Sequence, residues 1–366
     1  MKTYKNLWNV FLSEDNIDEA IRNVCKHKTM RLKFKDLHDH PEKYKKWILH
    51  EAENYKNSKH RPLVIYDGIQ RKKRTIIVPR FREQIIHHMV VNILKPIIMK
   101  SLYEHSYGSV PGRGAHLAKK YIKKAISKGG KNIKYVLKMD VKKYFDSIPH
   151  DKLEELYRKK IKDEKFIGIL LEITSVVDKG IPLGFYTSQW IANWYLSDLD
   201  HFIKEQLHAV CYYRYMDDMV IFGSNKRELH KMRLEIVKEL KKLGLEMKEN
   251  WQVFRFENDG KYRFLDFMGF RFYRNRITLR RSIYFKACRK AKRVGKKWKP
   301  SIYEIRQVLS YLGWISATNT YGAFKKRISP YINVRKMKKR ISNYDKRERR
   351  NNEISESTRN TGDEAA

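Results

Sequence analysis

The chain has 366 residues; 80 are Lys or Arg and 41 are Asp or Glu, a formal net charge of +39. Hydrophobic residues make up 42%, enough to bury a core in one large or two to three small domains. Self-repulsion at this charge is costly without a counter-polyanion, so the composition points to a polyanionic partner. No stretch approaches the roughly 20 apolar residues of a spanning helix. No apolar run follows Met1-Lys2-Thr3-Tyr4-Lys5, so neither a membrane anchor nor a leader is expected, and a cytoplasmic location is. Cys25, Cys211 and Cys288 are far apart and form no Cys-x-x-Cys pair, which argues against a zinc framework or a disulfide scaffold.

Residues 1–58 read as helical. Ile17, Ala20, Ile21, Val24 and Cys25 share one helical face, with Asn16 and Glu19 as a candidate capping box. A second helix starts near Pro41 and carries the stripe Tyr44, Trp47, Ile48, Ala52 and Tyr55. Residues 61–79 predict a hairpin turning at Asp67-Gly68, with Arg71, Lys72, Lys73 and Arg74 at the turn and on the return. An apolar helix follows through Ile85 to Ile98, then a glycine-rich loop, Ser106 to Gly114, that carries Arg113. Tyr135 to Asp140 alternates as a half-buried strand, and residues 150–178 read as helices. A turn at Gly180 to Gly184 enters another helix, and residues 226–243 form one that ends at Gly244. Residues 264–273 predict a further hairpin, and 280–334 a basic helical region containing Tyr311 and Trp314, which read as core. The tail beyond about 335 is charged and then polar, and is expected to be disordered.

Tyr215-Met216-Asp217-Asp218 lies between two runs rich in aromatic and β-branched residues, Val210 to Arg214 and Met219 to Phe222. That pattern predicts a hairpin with two aspartates at its tip. Adjacent carboxylates repel unless a cation sits between them, and hard oxygen ligands suit Mg²⁺. Asp-Asp alone is an ordinary polar turn. The addition of Asp140, at the end of its strand, makes three carboxylates that can converge on two cations about 4 Å apart. One cation would acidify an attacking hydroxyl, and the other would neutralise a leaving pyrophosphate.

Three segments carry a family resemblance: Lys138 to Ile148, Gly180 to Gln189, and Tyr215 to Asp218. In order and spacing they resemble the successive palm motifs of reverse transcriptases. The resemblance covers roughly residues 60 to 320. It implies an α+β fold: a right-hand polymerase with a ferredoxin-like palm, fingers and a short helical thumb. The strand and helix order through the palm suits that fold. The expected organisation is an N-terminal helical extension at 1–58, fingers at 59–134, and palm with interleaved fingers helices at 135–278. A thumb at 279–334 and the tail at 335–366 complete it.

By this resemblance Asp140, Asp217 and Asp218 bind two Mg²⁺ ions, with Mn²⁺ as a substitute and Asp218 in a lesser role. Phe145 falls at the steric-gate position that excludes a 2′-hydroxyl; a core aromatic is the alternative. Lys72 and Arg74 match the residues that clamp a triphosphate, where bidentate arginine suits phosphate, or else they belong to a solvated basic hairpin. Arg113 either touches template or nucleotide phosphate, or braces its own turn. Lys248 falls where the family places a basic residue near the triphosphate, although neighbouring lysines align there too. Met268 and Gly269 resemble the primer grip. Arg280, Arg281, Lys286 and Arg289 are expected to track the template–primer backbone through salt-sensitive contacts.

Most reverse transcriptases carry Gln-Gly in the second motif and end it in Ser-Pro, whereas this chain has Leu183-Gly184 and ends in Ser188-Gln189. The aliphatic-Gly pattern, with Asn193 one turn on, resembles the enzymes of diversity-generating retroelements. An apolar side chain in place of a hydrogen-bonding Gln removes a geometric check on the incoming nucleotide. The commoner residue there is Ile or Val, and Ser188 and Gln189 have capping and packing of the next helix as their alternative. The resemblance implies error-prone copying of a template RNA into cDNA, and a small basic accessory protein that forms an oligomeric ring. No ribonuclease H-like acidic cluster and no Cys/His endonuclease module is seen, which argues against a retroviral or mobile group II intron enzyme. The alternatives are an antiphage-defence or retron-like reverse transcriptase, although retrons usually carry Ala where Met216 stands, and a non-catalytic nucleic-acid-binding scaffold.

Overall fold

The computed structural model describes residues 3–26, 28, 31–67, 72–258 and 260–363. They form two compact units, Met1–Phe256 and Glu257–Ala366.

The first unit begins with α1 (Leu7–Phe11), α2 (Glu14–Cys25), α3 (Leu32–Asp39) and α4 (Glu42–Glu53). The predicted stripe of α2 is buried, Cys25 included. The cap is not the expected one. Ser13 caps α2, its Oγ accepting from the Asn16 amide at 3.3 Å. Asn16 is buried instead, and its Nδ2 donates to the carbonyls of Phe11 and Met89 at 2.7 and 3.3 Å. Those bonds tie α2 to a later helix, a tertiary role that local spacing does not reveal.

Strands β1 (Pro62–Asp67) and β2 (Lys72–Ile77) pair antiparallel, Asp67 opposite Lys72. The Asp67-Gly68 turn and Arg71 fall at or inside residues outside the described set. Helix α5 (Phe81–Ser101) follows and buries Ile85, Ile86, Met89, Val90, Leu94 and Ile98. After the glycine-rich loop comes α6 (Ala115–Lys128).

The central sheet comes next. Its strands are β3 (Tyr135–Asp140), β4 (Cys211–Tyr215), β5 (Asp218–Gly223) and β6 (Gln252–Arg255). Between β3 and β4 lie α7 (Tyr144–Ser147), α8 (His150–Lys160), α9 (Glu164–Thr174), α10 (Tyr186–Tyr195) and α11 (Ser197–His201); α12 (Lys226–Lys242) joins β5 to β6. The sheet order is β4-β5-β3-β6, antiparallel throughout. This is the split order of a ferredoxin-like fold, as expected. Leu137 and Met139 of β3 join Met219 and Ile221 of β5 and Ile236 and Leu240 of α12 in the main core. Val136, opposite Phe222 and Phe254, is also fully buried, so the alternation of β3 is weaker than its sequence suggests. Helix α12 stops before Gly244, whose φ of 68° is the left-handed conformation expected of a terminating glycine.

The second unit holds a three-stranded meander, β7 (Leu265–Phe267), β8 (Phe270–Phe272) and β9 (Ile277–Leu279). Four helices follow: α13 (Arg281–Gly295), α14 (Ile302–Ser316), α15 (Tyr321–Arg327) and α16 (Val334–Asp363). The predicted 264–273 hairpin is present, and β9 extends it. The meander clusters with the later helices, in the unit that begins at Glu257. Trp314 packs against Phe270, ring centroids 5.1 Å apart, in keeping with a core role.

The tail expected to be disordered is helical as far as Asp363. Its first turns carry an apolar stripe that composition averages away. Met337 is buried with Val294, Ile305 and Val308, and Ile341 packs against the same cluster. Met337→Ala is therefore expected to destabilise the second unit by about 2 kcal/mol or more, as measured by urea denaturation. An unchanged midpoint would show that α16 is not docked there.

Candidate active site

Asp140 ends β3, and the β4–β5 hairpin delivers Asp217 and Asp218 beside it. The hairpin turns at Met216-Asp217, flanked by the pair Tyr215 and Asp218. Asp218 is thus the first residue of β5 rather than part of the tip, and it lies directly across from Asp140. Burial first, then the Asp140 carboxylate and the charge of Asp218, push the Asp217 carboxyl up to about 7.

A cationic side chain already answers this crowding. The backbone of 246–248 runs along Asp140: the Lys142 amide donates to the Glu246 carbonyl and the Lys248 amide to the Asp140 carbonyl, both at 2.8 Å. That pairing brings the Lys248 ammonium onto Asp140 Oδ2. The other oxygen, Asp140 Oδ1, is buried without a hydrogen-bond partner. An orphaned carboxylate oxygen beside a carboxyl that resists ionising suits a divalent cation. Among the described residues no three His, Cys, Asp or Glu side chains form a ready-made metal cage. Mg²⁺ does not require one, since it is commonly held by one or two carboxylates plus substrate phosphates.

A buried ion pair holds the hairpin. Arg214 and Asp200 are both fully buried. Arg214 Nε and Nη2 donate to Asp200 Oδ1 and Oδ2 at 2.7 and 2.6 Å, and the Tyr212 hydroxyl donates to Oδ1 at 2.7 Å. Arg214 Nη1 then reaches forward to the Met216 carbonyl, 3.0 Å, and to Asn193 Oδ1, 3.2 Å. Met216 has φ 55°, a conformation that costs an L-residue energy and persists only when its surroundings fix it. Asn193 Nδ2 also donates to the Gly108 carbonyl at 2.8 Å, linking the glycine-rich loop to the same turn. A Cβ on Gly108 would fall 2.6 Å from the Met216 backbone nitrogen, so only glycine fits there. Sequence reasoning passed over Arg214, Asp200 and Gly108. The available signal was an arginine inside an otherwise apolar strand, which demands a buried counter-charge.

The remaining expected residues lie as follows. Phe145 is half-buried at the edge of the main core, one position after Tyr144, whose hydroxyl bonds the Ala192 carbonyl deep inside. The Leu183 carbonyl accepts from the Ile77 amide at 2.8 Å. Gly184 has φ 115°, and a Cβ there would meet the Ile77 carbonyl at 2.3 Å, so glycine lets the end of β2 close on this turn. Gly184 and exposed Gln189 line an open cleft of about 620 Å³ that also includes Lys28 and Arg31. Ser188 Oγ bonds the Pro182 carbonyl at 2.7 Å, its packing alternative. Arg74 is half-exposed on β2; the Lys72 side chain lies outside what is described.

Arg113 braces its own loop. Its Nη1 donates to the carbonyls of Tyr103 and Ser106 at 2.7 and 3.1 Å, the turn-bracing role named as the alternative to a phosphate contact. Within the second unit, Met268 and Gly269 make the tight β7–β8 turn, both with positive φ. Arg280 pairs with Asp266, Nη2 to Oδ1 at 2.6 Å, so its charge is partly neutralised. Arg281 and Arg289 are exposed and Lys286 half-exposed.

The sheet order and the carboxylate hairpin define a polymerase palm. Residues 56–272 match the family model described as reverse transcriptase (RNA-dependent DNA polymerase), and the chain belongs to that family. It is 32% identical over 151 residues to an uncharacterised 91 kDa protein in the cob intron of Schizosaccharomyces pombe, covering 38% of this chain and 18% of that one. It is 30% identical over 136 residues to the retron Ec73 reverse transcriptase of Escherichia coli, covering 33% and 43%. The chain thus spans less than half the length of these relatives. A solved structure of telomerase from Candida tropicalis, in complex with a fragment of telomeric RNA, overlays at a TM-score of 0.47 and 14% identity, covering 74% of this chain and 55% of that one. Among the described residues no helix is long and apolar enough to cross a membrane.

Two outcomes follow from this geometry. The folded chain retains a proton on Asp217 between about pH 4 and 7 that the unfolded chain releases. Its contribution to stability therefore falls as pH rises through that window. Without divalent cations, melting should drop more steeply between pH 5 and 7.5 in the parent chain than in Asp217→Asn. Mg²⁺ should restore the parent more at pH 8 than at pH 6, as read by scanning calorimetry. Separately, Asp200→Asn should cost about 3–5 kcal/mol in chemical denaturation, because it strands the Arg214 charge.

Proposed function

We propose that this protein is an RNA-directed DNA polymerase that extends a primer along an RNA template. The observation that supports it most is the Asp140–Asp217 carboxylate pair, held beside Lys248 at the end of a palm sheet in a chain of the reverse transcriptase family. Asp140 and Asp217 would hold Mg²⁺, with Asp218 adding charge. The bound ions would lower the pKa of the primer 3′-hydroxyl and neutralise the leaving pyrophosphate. The residues then divide the remaining work. Lys248, released from Asp140 once a cation bound there, would meet triphosphate oxygens. Lys72 and Arg74 clamp the triphosphate from β2. Phe145 stands under the sugar and excludes a 2′-hydroxyl. Arg281 and Lys286 of α13 follow the template–primer backbone.

The finer reading is error-prone copying in a diversity-generating retroelement, together with a structured template RNA and a small basic accessory protein. It rests on Leu183-Gly184 and Ser188-Gln189. An aliphatic Leu183 offers the nascent pair no hydrogen bond, so mispairs are rejected less strongly. A retron-like or defence enzyme is the second reading, favoured by the similarity to the retron Ec73 enzyme.

Extension of a primed RNA template with dNTPs and Mg²⁺, followed by product sequencing, tests both levels. Errors concentrated opposite adenines support the retroelement reading, and accurate copies favour the second. Absence of extension in the presence of cognate RNA and accessory protein would contradict polymerase activity. Phe145→Ala should raise ribonucleotide incorporation by roughly tenfold or more, since a lost steric clash is worth about 1–3 kcal/mol. An unchanged ratio would assign Phe145 to the core.

A further inference from the structure

The middle of the second unit is almost free of acid. Between Asp266 and Asp345 the only carboxylate side chain is Glu304. Within this stretch α13 and α15 enclose an open cleft of about 590 Å³, lined by Phe285, Arg289, Lys292, Lys326, Arg327 and Tyr331. Its walls are tied together by the Tyr284 hydroxyl of α13, which donates to the Ala323 carbonyl of α15 at 3.0 Å. Lys292 Nζ lies 5.9 Å from the centre of the Tyr331 ring. None of the four cations makes an ion pair among the described residues. Phe285 is 45% exposed and Tyr331 38%.

Four uncompensated cations gathered in one concavity repel each other, and an anion relieves that cost. Two open aromatic faces in the same concavity add a preference that a bare phosphate cannot satisfy. A duplex backbone presents phosphates but keeps its bases stacked inside. An unpaired nucleotide presents both a phosphodiester and a free base face. We propose that this cleft is a binding site for single-stranded nucleic acid, with phosphates on Arg289, Lys292, Lys326 and Arg327 and a base on Phe285 or Tyr331. Cations with aromatic platforms are how proteins hold unpaired strands without reading sequence. The proposal deepens the polymerase reading, since a strand that has not yet paired needs a holder, but its binding test does not depend on polymerase activity.

The test uses the full chain and fluorescence anisotropy with labelled 12-nucleotide single strands, one RNA and one DNA, and a 12-base-pair duplex, across a salt series. Phe285→Ala should weaken single-strand binding roughly tenfold and leave duplex binding within about twofold. Lys326→Glu with Arg327→Glu should lower the magnitude of the single-strand salt slope by about 1.4, near 0.7 for each phosphate released. Comparison of the RNA and DNA arms identifies the natural strand, and preference for either supports the site. Equal loss of duplex and single-strand binding would overturn it in favour of a general backbone track. Unchanged single-strand binding in both variants, with intact circular dichroism, would overturn it outright. Absence of primer extension by the parent chain, with normal strand binding, would count against the polymerase reading alone.

Discussion

Carboxylate repulsion at the end of the central sheet is the constraint on which the first unit depends. Asp140, Asp217 and Asp218 would separate in a free chain. Here β3 and β5 are hydrogen-bonded neighbours in a register that puts Asp140 opposite Asp218, and the turn adds Asp217. The fold resists the consequence in two ways. Asp217 keeps its proton to about pH 7. Lys248 sits on one oxygen of Asp140, and the other oxygen is left without a partner. The interaction that stops the turn from relaxing is internal. Arg214, fully buried against Asp200, holds the Met216 carbonyl and Asn193 together, and Asn193 in turn holds Gly108. Stability is thus spent to keep an electrostatically unfavourable tip in place, a pattern expected where strain serves a site.

Much of this was legible in the sequence for a physical reason. Strands with a dense aromatic and β-branched content, such as Cys211 to Tyr215, leave little choice of secondary structure. The two adjacent aspartates locate the turn to within one residue, Asp217 lying in it and Asp218 opening β5. The ferredoxin-like palm was implied by the family resemblance, and the order of strands and helices suited it. The α2 stripe and the Gly244 stop also followed from local rules, and the structure bears them out.

What stayed hidden depended on partners distant in sequence. Asn16 reads as a capping residue until Met89 is known to lie beside it. Arg113 reads equally as a phosphate contact or a turn brace, and only the structure shows the carbonyls of Tyr103 and Ser106 that its Nη1 binds. Arg214 reads as one more cation among eighty until Asp200 is found fourteen residues upstream. The apolar stripe of α16, marked by Met337 and Ile341, was masked by the surrounding charge. In each case composition or local pattern gave the average, and a single tertiary partner decided the role.

On the proposed function, Asp217 and Asp140 together would bring a divalent cation to the primer end. The most direct measurement is the single-turnover incorporation of one dNTP on a primed RNA template by the parent chain and by Asp217→Asn, with template–primer affinity measured in parallel. The expected result is a fall of about a thousandfold or more in rate, the scale of lost transition-state charge stabilisation, with affinity little changed. Incorporation by Asp217→Asn at the parent rate would contradict it.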